Sequence, residues 1–139
     1  MRPDSARPAV IDTDPGVDDA LALLLAWSSP ELAIEALTTV AGNVPVEQAT
    51  ANLLRLLDLR RPVPAPPLAV GAAGPLARPL VTARGYHGED GLGGLESWPA
   101  VAVPATRSAT DVLVETARRH ARRLVLIALG PLTNVALAV

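Results

Sequence analysis

Apolar and polar positions along the chain switch between two repeats, one of about two residues and one of about 3.6. Residues 9–12 read as a short buried strand entered through Pro8, and Pro15-Gly16 breaks the chain into a turn. Residues 18–28 carry Leu21, Leu23, Leu24 and Leu25 around most of a helical wheel. This predicts a helix buried on both flanks, with Asp18 and Asp19 in the first turn, where the helix dipole favours acids. Residues 32–40 alternate again and predict a second strand. Residues 41–44 read as a loop. Pro45 suits a helix start, and Val46, Ala49, Leu53, Leu56 and Leu57 mark one apolar face up to about residue 59. Glu47, Asn52, Arg55 and Asp58 fall largely elsewhere on that wheel.

A Pro-rich extended stretch over residues 60–67 leads into a third strand at 68–70. Residues 71–104 are rich in Gly and Pro and read as a long loop of the kind that forms lids and binding loops. Ser108 with Asp111 makes a capping-box-like start for a helix to about residue 119. Residues 124–129 read as a fourth strand, and 132–139 begin another helix. The order strand, helix, strand, helix, strand, loop, helix, strand, helix predicts an α/β fold with a mainly parallel sheet flanked by helices, Rossmann-like in type. The chain stops on an uncapped apolar run at 135–139, which predicts a fold truncated within a larger one.

At 139 residues, half of them hydrophobic, the chain is the size of one domain with a sizeable core. Its net charge of -2 gives no electrostatic case for nucleic acid or an anionic membrane. The longest apolar run, residues 20–27, is far too short to span a bilayer, and residues 1–10 lack a signal-like apolar stretch. There is no Cys, so disulfides and thiolate metal sites are excluded. A soluble cytoplasmic protein is the expectation. All 12 cationic residues are Arg, and Arg118, Arg119, Arg122 and Arg123 read as a solvated patch near a helix end.

Four of the eight aspartates fall within Asp12-Thr13-Asp14-Pro15-Gly16-Val17-Asp18-Asp19, after a predicted strand and before a predicted helix. In a parallel sheet this is the carboxyl end of a strand, where ligands bind. Carboxylates so crowded repel one another unless a cation neutralises them, and no Arg lies within the cluster. A hard dication with oxygen ligands, Ca²⁺ or Mg²⁺, is the simplest counter-charge. Acids decorating a helix start would explain Asp18 and Asp19 but not Asp12 and Asp14. An EF-hand is excluded because Gly16 comes one position early and Leu23 stands where the closing Glu belongs. A haloacid-dehalogenase-type phosphatase also places Asp-x-Asp after its first strand. It wants Thr or Val where Gly16 stands, and usually a Lys, which this chain lacks.

Asp12-Thr13-Asp14-Pro15-Gly16-Val17-Asp18-Asp19-Ala20 closely resembles the amino-terminal signature of the inosine-uridine-preferring nucleoside hydrolase family. Three more segments are similar to family segments in the same order: Thr38-Thr39-Val40-Ala41-Gly42-Asn43, His87-Gly88-Glu89-Asp90-Gly91-Leu92 and Gly130-Pro131-Leu132-Thr133-Asn134. The resemblance runs from about Ala9 to Val139 and covers the amino-terminal portion of a single nucleoside hydrolase domain.

The resemblance implies hydrolysis of the N-glycosidic bond of ribonucleosides to ribose and free base by a Ca²⁺-bound water. It makes Asp14 and Asp19 calcium ligands, together with the backbone carbonyl of Leu129. Asp18 would bind a ribose hydroxyl, Asn43 would contact the sugar, and His87 would lie over the site. Asp12 would stand behind the ligands and orient the loop. The chemistry is coherent in itself: cleaving C1′–N makes an oxocarbenium-like sugar, and Asp14 can serve as general base. Apart from the resemblance, His87 is a solvated loop histidine and Asn43 a satisfier of backbone groups. Trp27 is expected to pack on the core, whereas Tyr86 and Trp98 lie in the long loop, within reach of a base.

The partner implied is a small nucleoside, with a homo-oligomer when full length. Family members are much longer, and the part not matched would supply another Asp ligand and most base recognition. The 139 residues alone are therefore expected to turn over poorly. A non-catalytic metal- or ribose-binding remnant is the alternative of a different class.

Overall fold

The computed structural model describes residues 6–95 and 107–139. Four strands form one parallel sheet in the order β3-β2-β1-β4: β1 (Arg7–Thr13), β2 (Leu32–Thr39), β3 (Leu68–Val70) and β4 (Val125–Ala128). Five helices connect or follow them: α1 (Val17–Ser28), α2 (Val46–Arg60), α3 (Arg84–His87), α4 (Ala109–His120) and α5 (Thr133–Ala138).

Side chains alternate across β1, so the sheet builds a core on each face. Ala9 and Ile11 pack with Leu23 and Ala26 of α1, Ile34 and Leu37 of β2, and Leu53 and Leu56 of α2. Val10 faces the other way and packs with Ala36, Ala69 and the α4 residues Val112 and Leu113. Trp27 lies partly buried against the first cluster. Helices thus cover both faces, as a parallel sheet requires. The chain moves outward from β1 to β3 and then returns to the far side of β1 with β4. That reversal opens a switch point between the carboxyl ends of β1 and β4, where such sheets bind ligands.

Two helix-face expectations are corrected. The α1 helix is not buried on both flanks: Leu23 is fully buried, but Leu21 and Leu25 are 65% and 70% exposed. Its apolar wheel is wider than the strip that the sheet and α2 contact. Asn52 does not lie off the buried face of α2; it is buried beside Leu53 and Leu56, because loop carbonyls meet it there. Within the long Gly- and Pro-rich stretch, α3 forms a single helical turn. Ser108 caps α4 by accepting a hydrogen bond from the Asp111 amide at 3.1 Å.

Candidate active site

The site is assembled from the carboxyl ends of β1, β2 and β4. Asp12 is the penultimate residue of β1 and is fully buried. Its register partners are Thr38 on β2 and Ala128 on β4. Thr38 Oγ1 donates to Asp12 Oδ1 at 2.6 Å, and Asn134 Nδ2 donates to the same oxygen at 2.8 Å. Burial raises the Asp12 carboxyl above its ordinary value, and these two hydrogen bonds only partly oppose the rise. Oδ2 of Asp12 has no hydrogen-bond partner among the described residues. The Asp12 carbonyl receives the amide of Leu129 at 2.8 Å, so the end of β4 is tied to β1 at the point where the aspartate loop begins.

Asp14 follows β1 and is only 3% exposed. Asp14 Oδ2 accepts the Asn43 amide at 2.6 Å, while Oδ1 is buried without a partner among the described residues. Burial, with smaller contributions from the charges of Asp19 and Asp18, pushes the Asp14 carboxyl up to about 7 against the Asn43 hydrogen bond. Gly130 lies directly against this carboxylate: a Cβ there would sit 2.8 Å from Asp14 Oδ1. Gly130, the residue after Leu129, therefore borders the unpartnered oxygen.

Asp19 sits in the first turn of α1 and is buried. Thr13 Oγ1 donates to its Oδ1 at 2.7 Å. Its Oδ2 accepts the Gly16 amide at 3.3 Å and Asn43 Nδ2 at 3.1 Å. Asn43 Nδ2 also donates to the Asp14 carbonyl at 3.2 Å, so one residue straps the two aspartates together.

Asp18 stands at the rim with its side chain 79% exposed. His87 Nδ1 lies 3.9 Å from Asp18 Oδ1. Gly16 forms the floor between them, where a Cβ would meet Asn43 Nδ2, Asp18 Oδ1 and His87 Nδ1 within 3.1 Å. Beside the aspartates a cleft of about 530 Å³ is lined by Gly42, Arg78, Val81, Pro131 and Thr133. A separate cavity of about 450 Å³, between Trp27 and Pro64, is at the opposite end of the sheet. Tyr86 is 92% exposed and far from capping anything; Trp98 lies outside the described residues.

Asp12, Asp14, Asp18, Asp19, Asn43, His87 and Leu129 thus lie around one place, whereas Tyr86 does not join them. Thr13, Thr38, Asp90 and Asn134 stood in the segments that carry the resemblance without a role of their own, and Asn52 stood outside them, yet all five are buried and hydrogen-bonded around the loop. Among the described residues no three His, Cys, Asp or Glu side chains are grouped as a metal cage.

The model of the inosine-uridine preferring nucleoside hydrolase family matches residues 9–139. The chain belongs to the inosine-uridine preferring nucleoside hydrolase family. It is 43% identical over 132 residues to the pyrimidine-specific ribonucleoside hydrolase RihA of Salmonella enteritidis, covering 95% of this chain and 42% of the relative. Against the non-specific ribonucleoside hydrolase RihC of Klebsiella pneumoniae the identity is 43% over 130 residues, covering 94% and 42%. Among solved structures, a plant nucleoside hydrolase superposes with a TM-score of 0.88 at 39% identity, covering 95% of this chain and 42% of that one. The purine-preferring ribonucleoside hydrolase of Gardnerella vaginalis gives 0.87 at 31% identity, covering 95% and 43%. The α/β fold expected from the sequence is therefore the nucleoside hydrolase fold. The chain spans about 42% of the length of the curated relatives it matches.

Proposed function

We propose that the protein takes part in hydrolysing the N-glycosidic bond of ribonucleosides to ribose and free base, with Ca²⁺ as cofactor. One observation carries this reading. Asp14 is a buried carboxylate beside Asp19 and Gly130, with an oxygen that has no partner, and no cationic side chain hydrogen-bonded to it, among the described residues. Such an oxygen in a cluster of acids calls for a hard cation.

The residues present fit that ion. Asp14 Oδ1, the Asp19 carboxylate and the Leu129 carbonyl would hold it, and a set with only two acidic side chains need not form a three-acid cage. Asp19 Oδ1 accepts one hydrogen bond, from Thr13, and has a second lone pair to offer, whereas Oδ2 already accepts two. When bound, Ca²⁺ supplies a Lewis acid that acidifies water and grips a vicinal diol.

The chain's own groups do the rest. Asp14 takes the proton of the attacking water. Asp18, at the rim, accepts a ribose hydroxyl. The side-chain oxygen of Asn43 is the atom left for the sugar, because its NH2 group serves Asp14 and Asp19. His87 closes over the sugar beside Asp18. Buried Asp12 orients the loop and, with its neighbours, adds negative potential where the ribosyl group turns cationic.

The substrate class is the ribonucleoside; the relatives' names differ in base preference, while these residues address the sugar. A cytoplasmic homo-oligomer is the setting the family resemblance suggests. Among the described residues no helix is long and apolar enough to cross a membrane.

A reducing-sugar assay on inosine and uridine with added Ca²⁺ tests the reading. More than half of each relative lies outside the matched span, so the 139 residues alone are expected to release ribose slowly. That release is expected to cease with a chelator and to fall about 100-fold or more in Asp14→Asn. Release that ignores both would remove Asp14 and the ion from the mechanism.

A further inference from the structure

We infer that Asn52 is a positioning residue that clamps the His87-bearing loop onto the aspartate loop. The inference rests on the nucleoside-hydrolase reading for what His87 does, but its geometry stands apart from that reading.

Asn52 lies on α2 and is fully buried. Its NH2 group donates to the Pro15 carbonyl at 3.0 Å and to the Asp90 carbonyl at 2.7 Å. Its oxygen accepts from Gln48 Nε2 at 2.9 Å and Arg55 Nη1 at 3.0 Å. Both donors and both acceptor positions are in use, so the amide cannot turn without losing partners. Pro15 adjoins Asp14, and Asp90 is three residues past His87. One side chain therefore joins two loops that share no sheet ladder.

The joint has no slack. Gly91 has φ +79°, and a Cβ on it would lie 2.9 Å from Val44 Cγ1, 3.1 Å from Asn52 Nδ2 and 3.2 Å from the Pro15 carbonyl. The loop beyond is braced as a unit. Asp90 Oδ1 accepts the amides of Leu92 at 3.0 Å and Gly94 at 2.9 Å, and the Gly93 amide returns to the His87 carbonyl at 2.9 Å. Burial alone would raise the Asp90 carboxyl, but amide donors from Gly94, Leu92 and Leu95 outweigh it and hold it below the ordinary range. Upstream, the Ala83 amide donates to the Asn43 carbonyl at 2.9 Å. The turn carrying His87 is thus pinned at both ends, by Asn43 and by Asn52. The Asn52 end sets how far His87 stands from Gly16 and Asp18.

The test uses the full chain with Asn52→Leu, and with Gly91→Ala as a second variant that wedges the same joint while Asn52 itself is kept. Amide hydrogen exchange is followed at Gly91 and Gly93, and at Ile11 and Leu37 as controls for the fold. In parallel, calorimetry measures Ca²⁺, and inosine in the presence of Ca²⁺. The expected result is at least tenfold faster exchange at Gly91 and Gly93 with the controls unchanged, and inosine binding weakened at least fivefold with Ca²⁺ affinity retained. Unchanged exchange at Gly91 and Gly93 in both variants would overturn the clamp. Equal loss of Ca²⁺ and inosine affinity would show a general structural role and overturn the positioning role. A parent chain that bound neither ligand would overturn the metal-and-ribose reading, and the exchange result would still decide the clamp.

Discussion

The Asn43 main-chain amide lies 2.6 Å from Asp14 Oδ2, and the same residue's side chain reaches Asp19 Oδ2 at 3.1 Å. A residue at the end of the second strand's loop therefore holds two acids of the first loop at a fixed spacing. The carboxylates are preorganised, with one oxygen of Asp14 left over.

A first consequence is an inverted pH dependence for the metal-free protein. Asp14 is raised from an ordinary 3.8 to about 7, and Asp12 is raised too. A carboxyl raised by folding keeps a proton that the unfolded chain gives up. Its contribution is fully present below 3.8 and is lost as the pH climbs through about 7. The thermal midpoint in chelator should therefore fall between pH 5 and pH 8, and Ca²⁺ should restore it at pH 8. Scanning calorimetry across that window checks this; a midpoint that rises with pH in chelator would contradict it.

Asn134 gives a second test. It is fully buried and donates to Asp12 Oδ1 and the Thr39 carbonyl, while accepting the Ala72 amide at 2.8 Å. Asn134→Leu removes three hydrogen bonds, leaving Asp12 Oδ1 with Thr38 and taking this partner from the Thr39 carbonyl and the Ala72 amide, and should cost about 3 kcal/mol in urea unfolding. A loss under about 0.5 kcal/mol would mean that water or a rearranged loop replaces the side chain.

The α1 helix supplies an internal control. Leu23→Ala removes a fully buried side chain and should cost about 2–5 kcal/mol. Leu25→Gln changes a side chain that is 70% exposed and should stay within about 0.5 kcal/mol. Similar losses from both, by the same urea titration, would show that the outer flank of α1 is covered in solution.

These contrasts also show what a sequence reveals. The third strand was legible at 68–70 because turn residues bracket three apolar ones, and it forms over Leu68–Val70. The aspartate loop was legible because its spacing is dense and local. Burial around α1 was not, since an all-apolar wheel does not say which side the sheet takes. Asn52 and Asn134 were hidden for a different reason. Asn52 meets Asp90 across 38 positions and Asn134 meets Asp12 across 122. No local period records such a partner, and a polar residue on a helix reads as solvated until the carbonyls it serves are seen. The turn of α3 was hidden because four residues cannot display a helical repeat.

Asp14, Asp19 and the Leu129 carbonyl are proposed to share one divalent cation that also takes a sugar diol. Calorimetric titration of the chain with Ca²⁺, repeated with ribose present, measures this directly. One Ca²⁺ per chain is expected, bound more tightly with ribose present and not at all by Asp14→Asn. Absence of binding in the parent chain, or equal binding in Asp14→Asn, would contradict it.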